Sequence, residues 1–389
     1  IQKGMSGLPQ AGKIAYDRLR KHLLQYGYSP TPLTPGLWRH SHRPIAFTLV
    51  VDDFGFKSED VIHTNHLNNA LRDLYTITTD PTGSLYCGMT LEWNYKQKYV
   101  DVSMPGYVSK DLHKFHHAPR SKAQHLPFKF VRPNYGSTVQ YAPEPDNSPF
   151  LSPSGKTRVQ QIVGTFLFYA RAIDNTMLPA LNTLSASQSK PTASTNQDIT
   201  QFLDYAATHP DATIRYNGSD MVLHVHSDAS FLCEPNAKSR IGGFYFLSNN
   251  SLDPTKPPTQ QPKLNGALHV ECRLLRRIMA SAAEAEIGGG FHNCQISVPI
   301  RTTLQELGHP QPPTPIQTDN STAAGFANST IKIKRTKAMD MNFHWVKDRV
   351  SQKEFLIFWR PGHSNLGDYA TKHHSPAHHI LVRPLYLHV

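Results

Sequence analysis

The sequence predicts a mixed α/β protein built in successive parts: an α+β part, a helical part, and a last part whose strands feed a mixed sheet. Three observations carry this reading. Helical and strand periodicities alternate over residues 8–108, amphipathic helical spacing dominates 158–210, and from residue 213 a run of strands comes first and then alternates with helices. A chain of 389 residues exceeds one ordinary core, and its 30 prolines point to long connections between compact units.

In chain order, "LPQAGKIAYDRLRKHLLQYG" (8–27) sets Ile14, Leu19, Leu23 and Leu24 at helical spacing and stops at Gly27. "IAFTLVVDD" reads as a strand, after which Phe54-Gly55 turns the chain into a hairpin. Residues 60–75 are helical by the spacing of Ile62, Leu67, Ala70, Leu71 and Leu74, and 84–108 form two strands around a turn near 94–98. Residues 116–155, rich in Pro, His, Ser and Asn and without periodicity, are a connection. Helices follow at 158–173, at "MLPALNTLSASQS" and at 195–210. Strands come next at "ATIRYN", "MVLHVHSDAS", "GGFYFLSN" and "GALHVECRLL", then a helix at 280–295 and the strand "TPIQTDN". Helices at 320–328 and 338–350, the strand "EFLIFWRPG" and a last helix from Asn365 complete the chain.

Charge names a class of partner. Forty Lys+Arg against 29 Asp+Glu leave a net +11, which suits a polyanion such as nucleic acid better than a neutral metabolite. Four cysteines lie far apart with no CxxC pair, so neither a disulfide framework nor a zinc knuckle is signalled, and an intracellular, reduced setting is expected. The longest apolar run, 46–51, is far short of the roughly 20 residues a membrane span needs, so no membrane partner is expected. The opening "IQKGMSGLPQ" lacks an initiator Met and reads as a piece of a longer polypeptide.

Four carboxylates stand out by position. Asp228 ends a strand, Glu286 sits on a helix in "SAAEAEIGG", Asp319 ends the next strand, and Asp368 opens the last helix. Two strand ends and two helices are how a fold brings distant residues to one sheet edge. Like charges so gathered repel and need cations, and oxygen-only ligation suits two Mg²⁺ or Mn²⁺ ions that activate water against a phosphodiester. Taken singly, Asp319 before Asn320-Ser321 can cap a helix, and His224, His226 and Asp228 share one strand face as a competing His–Asp metal set. Basic residues flank the four carboxylates: Arg273, Arg276 and Arg277, then Lys332, Lys334, Arg335 and Lys337, suited to positioning phosphates without reading bases.

The order strand-Asp, helix-Glu, strand-Asp, helix-Asp, in "SDAS", "SAAEAE", "TDNSTA" and "NLGDYATKHH", resembles the ribonuclease H domain that ends copia-type retrotransposon Pol polyproteins. "RTKAMDMNFHWVKDRV" resembles the helix that family carries between its third and fourth carboxylates. The resemblance makes Asp228, Glu286, Asp319 and Asp368 metal ligands for cutting RNA in RNA–DNA hybrids. Glu284 is the fallback for Glu286, and His363 stands where related nucleases keep a mobile histidine.

"GMSGLPQAGKIAYDRL" resembles the palm helix of copia-type reverse transcriptases, which places Gln10 near nucleotide and primer-template, and "LVVDDFG" resembles their double-Asp hairpin. "GSLYCGMTLEWN" resembles the primer-contacting hairpin that follows. Asp52 is then the metal-facing member of the pair and Asp53 its support. The third polymerase carboxylate and the fingers belong to an upstream part of the parent polyprotein, so polymerisation is expected only with that part. The resemblance divides the chain into a partial palm (1–115), a connection with thumb-like helices (116–212) and a ribonuclease H-like domain (213–389). It implies work in a cytoplasmic virus-like particle or the nucleus. The alternative from another class is a catalytically inactive nucleic-acid-binding remnant of a transposable element. Gly288-Gly289-Gly290 within the Glu286 helix, each costing roughly 0.8–1 kcal/mol against Ala, fit either close packing or decay.

Overall fold

The computed structural model of the chain describes residues 9–118, 120–131, 146–234, 237–250, 253, 256–258, 260–331 and 340–388. Lys332, Lys334, Arg335 and Lys337, the start of the palm-helix motif at 4–8, and residues 119 and 132–145 of the Pro-rich connection lie outside them. Among the described residues no helix is long and apolar enough to cross a membrane, and all four cysteines are free. Contacts divide the chain into two compact units, 1–91 with 302–308, and 92–301 with 309–389.

In the first unit, helix α1 (Pro9–Gln25) is followed by strands β1 (Tyr28–Pro30), β2 (Leu37–His40), β3 (Ile45–Val50) and β4 (Asp53–Ser58), then helix α2 (Val61–Arg72). The four strands form one antiparallel sheet in chain order. Its core gathers Leu19 and Leu23 from α1, Tyr28, Trp38, Ile45 and Phe47 from the sheet, and Leu67, Ala70 and Leu71 from α2. Trp38 and Phe47 stack at 5.6 Å. Ile14 and Leu24, placed by spacing on the same helical face, are 62% and 49% exposed, so the apolar stripe is narrower than the sequence implies. Asp60 caps α2 by accepting the Ile62 N–H at 2.8 Å.

The hairpin turn falls three residues earlier than predicted. Val50 pairs with Asp53, leaving Val51-Asp52 as a two-residue loop, while Phe54 and Gly55 lie inside β4 opposite Leu49 and Thr48. Val51 adopts φ 58°, a left-handed conformation that a β-branched residue enters at a cost. The backbone turn is made by the least suited residue type, and Gly55 is needed elsewhere: a Cβ there would meet the Tyr86 ring at 2.9 Å. Strands β5 (Leu85–Tyr86) and β6 (Met89–Asn94) complete this stretch, with β6 running across the boundary between units.

The second unit holds β7 (Tyr99–Ser103), α3 (Tyr107–Lys114), α4 (Pro153–Ala172), α5 (Leu178–Ser187), α6 (Ala193–Thr208) and β8 (Thr213–Asn217). β7 and β8 pair antiparallel, locked by a two-pronged Arg215–Asp101 contact at 2.7 Å. Then come β9 (Val222–Ala229), β10 (Arg240–Ser248), β11 (Ala267–Leu274), α7 (Ala282–Glu306), β12 (Thr314–Thr318), α8 (Ser321–Ala327), α9 (Asp340–Ser351), β13 (Phe355–Trp359) and α10 (Pro376–Tyr386). Five strands make a mixed sheet ordered β11-β10-β9-β12-β13, in which β10 runs antiparallel to β9 and β11 while β12 runs parallel to β9 and β13. This is the mixed α/β class the sequence predicts. Every residue of β9 is buried, which is why its sequence reads as a continuous run interrupted by polar side chains that must find partners.

Two helices differ from expectation. α7 runs past 295 to Glu306 despite Pro299. The helix predicted from Asn365 is instead a pair of short 3-10 turns, Gly362–Ser364 and Leu366–Ala370, with the α-helix beginning only at Pro376. Backbone proximity explains the tight geometry. A Cβ on Gly242 of β10 would collide with the Gly367 carbonyl oxygen, and one on Gly289 of α7 would meet Ala229 at 3.0 Å and the Asp228 carbonyl at 3.3 Å. Gly289 is therefore a close-packing glycine, whereas a Cβ on Gly290 would meet nothing within 4 Å.

Gly242 and Gly290 predict opposite outcomes. Gly242→Ala forces backbone apart and should destabilise by about 2–3 kcal/mol or more, while Gly290→Ala should stabilise by roughly 0.5–1 kcal/mol through helix propensity. Urea midpoints of the two variants check this, and a Gly242→Ala protein as stable as the parent would contradict the close approach.

Candidate active site

Parallel register brings the two strand-end aspartates together. Gln317 of β12 pairs with His226 of β9, and two residues further along each strand stand Asp319 and Asp228, on the same face by the period of two. Helix α7 crosses this edge and supplies Glu286. Ligand oxygens of Asp228, Glu286 and Asp319 all lie within 4.8 Å of one another. Asp228 is 5% exposed. Glu286 Oε2 is buried and has no hydrogen-bond partner.

Buried polar contacts hold these elements in place. Asn293 on α7 donates to Ser227 Oγ at 2.8 Å and to the Gly242 carbonyl at 2.9 Å, and accepts from the Tyr245 hydroxyl at 2.6 Å. Asn365, before the second 3-10 turn, donates to the Ser227 carbonyl at 2.8 Å and accepts the Gly367 N–H at 3.0 Å. The Leu366 N–H donates to His226 Nδ1 at 3.1 Å. The turn is thereby fastened to β9, with Asp368 beside Asp228. Asn320, not Asp319, caps α8 by accepting the Ala323 N–H at 3.0 Å, so the Asp319 carboxylate is left for other work.

The electrostatics are those of crowded acids. Burial first, then the nearby Asp368 and Asp319 charges, push Asp228 up to about 7 against a hydrogen bond from the Thr371 hydroxyl at 2.7 Å. Burial, with Asp228 and Asp319, holds Glu286 well above the usual carboxylate range. Asp319 is raised by burial and by Asp368. Asp368 is spoken for on one side by Lys372 Nζ, 2.5 Å from Oδ1, and on the other by His374 Nε2, 3.6 Å from Oδ2. Burial alone would lower the Lys372 ammonium, but Asp368, Asp228 and Asp319 raise it.

The remaining sequence-predicted residues divide. Glu284 is engaged at the start of α7 as a helix cap, accepting the Ala280 N–H at 2.9 Å while its own N–H reaches Ser281 Oγ. His224 and His226 pack against Phe246, and His226 also against Phe244, instead of joining Asp228 in a ligand set. His363 is exposed in the first 3-10 turn. Arg273, Arg276 and Arg277 are exposed in the stretch leading to α7. In the other unit Gln10, Asp52 and Asp53 are exposed. Thr371, Lys372, His374 and His378 went unnoticed in the sequence; the i,i+4 spacing of Lys372 from Asp368 was the available signal.

Similarity to known proteins points the same way. Over 380 residues, 96% of the chain, it is 20% identical to the retrovirus-related Pol polyprotein from transposon TNT 1-94 of Nicotiana tabacum. The resemblance to copia-type retrotransposon Pol polyproteins drawn from the sequence is thereby borne out. The chain spans 27% of that relative's length. Two solved structures align with 39% of the chain: LC11-RNase H1, isolated from compost by a metagenomic approach (10% identity, 93% of that chain, TM-score 0.28), and the N-terminal RNase H domain of Rv2228c from Mycobacterium tuberculosis, solved as a fusion with maltose-binding protein (14%, 91%, 0.27). No family model matches the chain.

The raised Asp228 value carries a pH sign. In the metal-free protein the unfolded chain loses this proton near pH 4 and the folded chain near pH 7, so stability falls as pH rises across that window. Asp228→Asn should then raise the metal-free unfolding free energy at pH 8 by on the order of a few kcal/mol, seen as a higher urea midpoint, and leave it little changed at pH 4. A lower midpoint at pH 8 would show that the carboxylate is compensated by something other than a cation.

Proposed function

We propose that this chain cuts the RNA strand of RNA–DNA hybrids, using divalent cations held by Asp228, Glu286, Asp319 and Asp368. The observation that carries the reading is the unpartnered, buried Glu286 Oε2 within 4.8 Å of ligand oxygens of Asp228 and Asp319. Although the Ala229 backbone helps this carboxyl, a buried oxygen left with no donor of its own is costly unless a cation completes it. The donors are all carboxylate oxygens, which suits Mg²⁺ or Mn²⁺. When bound, such ions supply water activation and stabilise the leaving oxygen of a phosphodiester. The protein's own part is to hold three acids converged on a rigid sheet edge, with Thr371 orienting Asp228. Asp368 stands poised at the rim under Lys372.

Arg273, Arg276 and Arg277 would contact backbone phosphates beside the site, and His363, exposed in its turn, would assist departure of product. Within the parent polyprotein, residues 1–115 would form part of a polymerase palm, with Asp52 toward metal, Asp53 behind it and Gln10 near primer-template; 116–212 would connect it to the nuclease at 213–389. Polymerisation would require the upstream palm and fingers.

Hybrid cleavage in Mg²⁺ or Mn²⁺, with single-stranded RNA and duplex DNA largely spared, is the expected activity. Asp228→Asn and Glu286→Gln should each lower it by about 100-fold or more, since even contacts behind a metal ligand are worth 10–100-fold. Glu284→Gln should stay close to the parent. Hybrid binding without turnover in any divalent ion would instead mark the chain as a binding remnant.

Affinity for hybrid should fall with salt through counterion release. Replacing Arg273, Arg276 and Arg277 by Ala should flatten that slope by about one for each phosphate that the variant no longer neutralises. Binding indifferent to salt would remove the phosphate-contact role.

A further inference from the structure

Asp368 also belongs to a second set of ligating atoms, whose two histidines the proposed nuclease chemistry does not use. One carboxylate oxygen of Asp368 and ring nitrogens of His374 and His378 lie within 4.8 Å of one another. Lys372 occupies Asp368 Oδ1, so the available oxygen is Oδ2, 3.6 Å from His374 Nε2. Two ligands each about 2.0–2.2 Å from one tetrahedral ion lie about 3.4 Å apart, so this pair needs only a small adjustment to share a cation. His374 is held in orientation by stacking on Tyr369 at 5.4 Å and 10°, and on His378 at 4.3 Å and 20°. His378 is itself fixed on the first turn of α10, where its N–H reaches Ser375 Oγ.

We propose that Asp368, His374 and His378 form a separate divalent-metal site that selects a borderline transition ion of the zinc class over Mg²⁺. Two imidazoles and one carboxylate match that class, whereas Mg²⁺ keeps to oxygen. In the metal-free protein His374 Nε2 carries a hydrogen, because its 3.2 Å partner, the Asp368 carbonyl, can only accept. The ion takes the place of that hydrogen, which moves by tautomer exchange to Nδ1 so that the imidazole stays neutral. Since Asp368 is shared, an ion on the histidine side draws Oδ2 away from Asp228 and Asp319. Zinc would then restrain hybrid cleavage, a consequence that alone rests on the nuclease reading.

The test is Zn²⁺ binding by equilibrium dialysis of the 389-residue chain in excess Mg²⁺, with the visible absorption of bound Co²⁺ as a second readout. His378→Gln, a half-buried surface position, should weaken Zn²⁺ on the order of tenfold or more and alter the Co²⁺ spectrum. Asp228→Asn, which breaks only the carboxylate set, should keep both. Zn²⁺ affinity and Co²⁺ spectrum unchanged in both His378→Gln and His374→Gln would overturn the site. Zn²⁺ inhibition of Mg²⁺-dependent cleavage that is as strong in His378→Gln as in the parent would overturn the sharing of Asp368. A chain that never cleaves hybrid yet loses zinc affinity on His378→Gln would keep this site and remove the nuclease reading.

Discussion

Ser227 is the point on which the second unit is assembled. Its hydroxyl accepts from Asn293 of α7, and its carbonyl accepts from Asn365 ahead of the Asp368 turn. One residue of the central strand therefore fastens both the helix that carries Glu286 and the turn that carries Asp368. Each such bond contributes only about 1 kcal/mol net, but leaving a buried carboxamide unpaired costs about 1–3 kcal/mol, so misplacing either element is penalised more than placing it is rewarded. The result is registration more than raw stability. Glycines 242 and 289 make it possible by letting the turn and α7 approach the sheet more closely than any side chain would permit.

That scaffold works against electrostatics. Asp228, Glu286 and Asp319 all sit above their ordinary pKa range because burial and mutual repulsion disfavour their charged forms. Local relief is partial: a hydroxyl from Thr371 on Asp228 and the ammonium of Lys372 on Asp368. The neutral asparagine contacts supply what the acids cannot, a reason for the elements to converge without help from the charges. A site that is uncomfortable when empty is one that binds cations with the greatest gain, at the expense of the metal-free fold.

The first unit solves a different problem. Its paired aspartates are exposed on a two-residue hairpin loop, and the strain there is conformational, carried by Val51 at φ 58°. A tight loop projects Asp52 beyond the end of the sheet. The adjacent core of Trp38, Phe47, Leu23 and Leu71 holds the hairpin's base, so the loop's cost is met by burial beneath it.

Much of this was legible in the sequence because it is local. Strand and helix periods located most elements, although not β1, β2 or α3, and the position of Asp228, Glu286, Asp319 and Asp368 on strand ends and helices drew attention to them, with the family resemblance favouring Glu286 over Glu284. The hairpin turn was misplaced because Phe54-Gly55 carries the usual turn signal, while the real loop puts valine where glycine is expected; only strand pairing, with Gly55 pressed under Tyr86, decided that. The helix expected from Asn365 became a 3-10 turn because contacts to Ser227 and His226, more than a hundred residues away in sequence, outweigh local helical preference there. The partition of Asp368 was hidden by packing and not by distance: Lys372, His374 and His378 all follow within ten residues, but only the turn and the start of α10 bring the two histidines to the same carboxylate. Chemistry that depends on residue type was thus determined by the sequence itself. Which oxygen of which acid faces which partner was decided only by tertiary packing, because a carboxylate's environment is set by whatever the fold buries beside it.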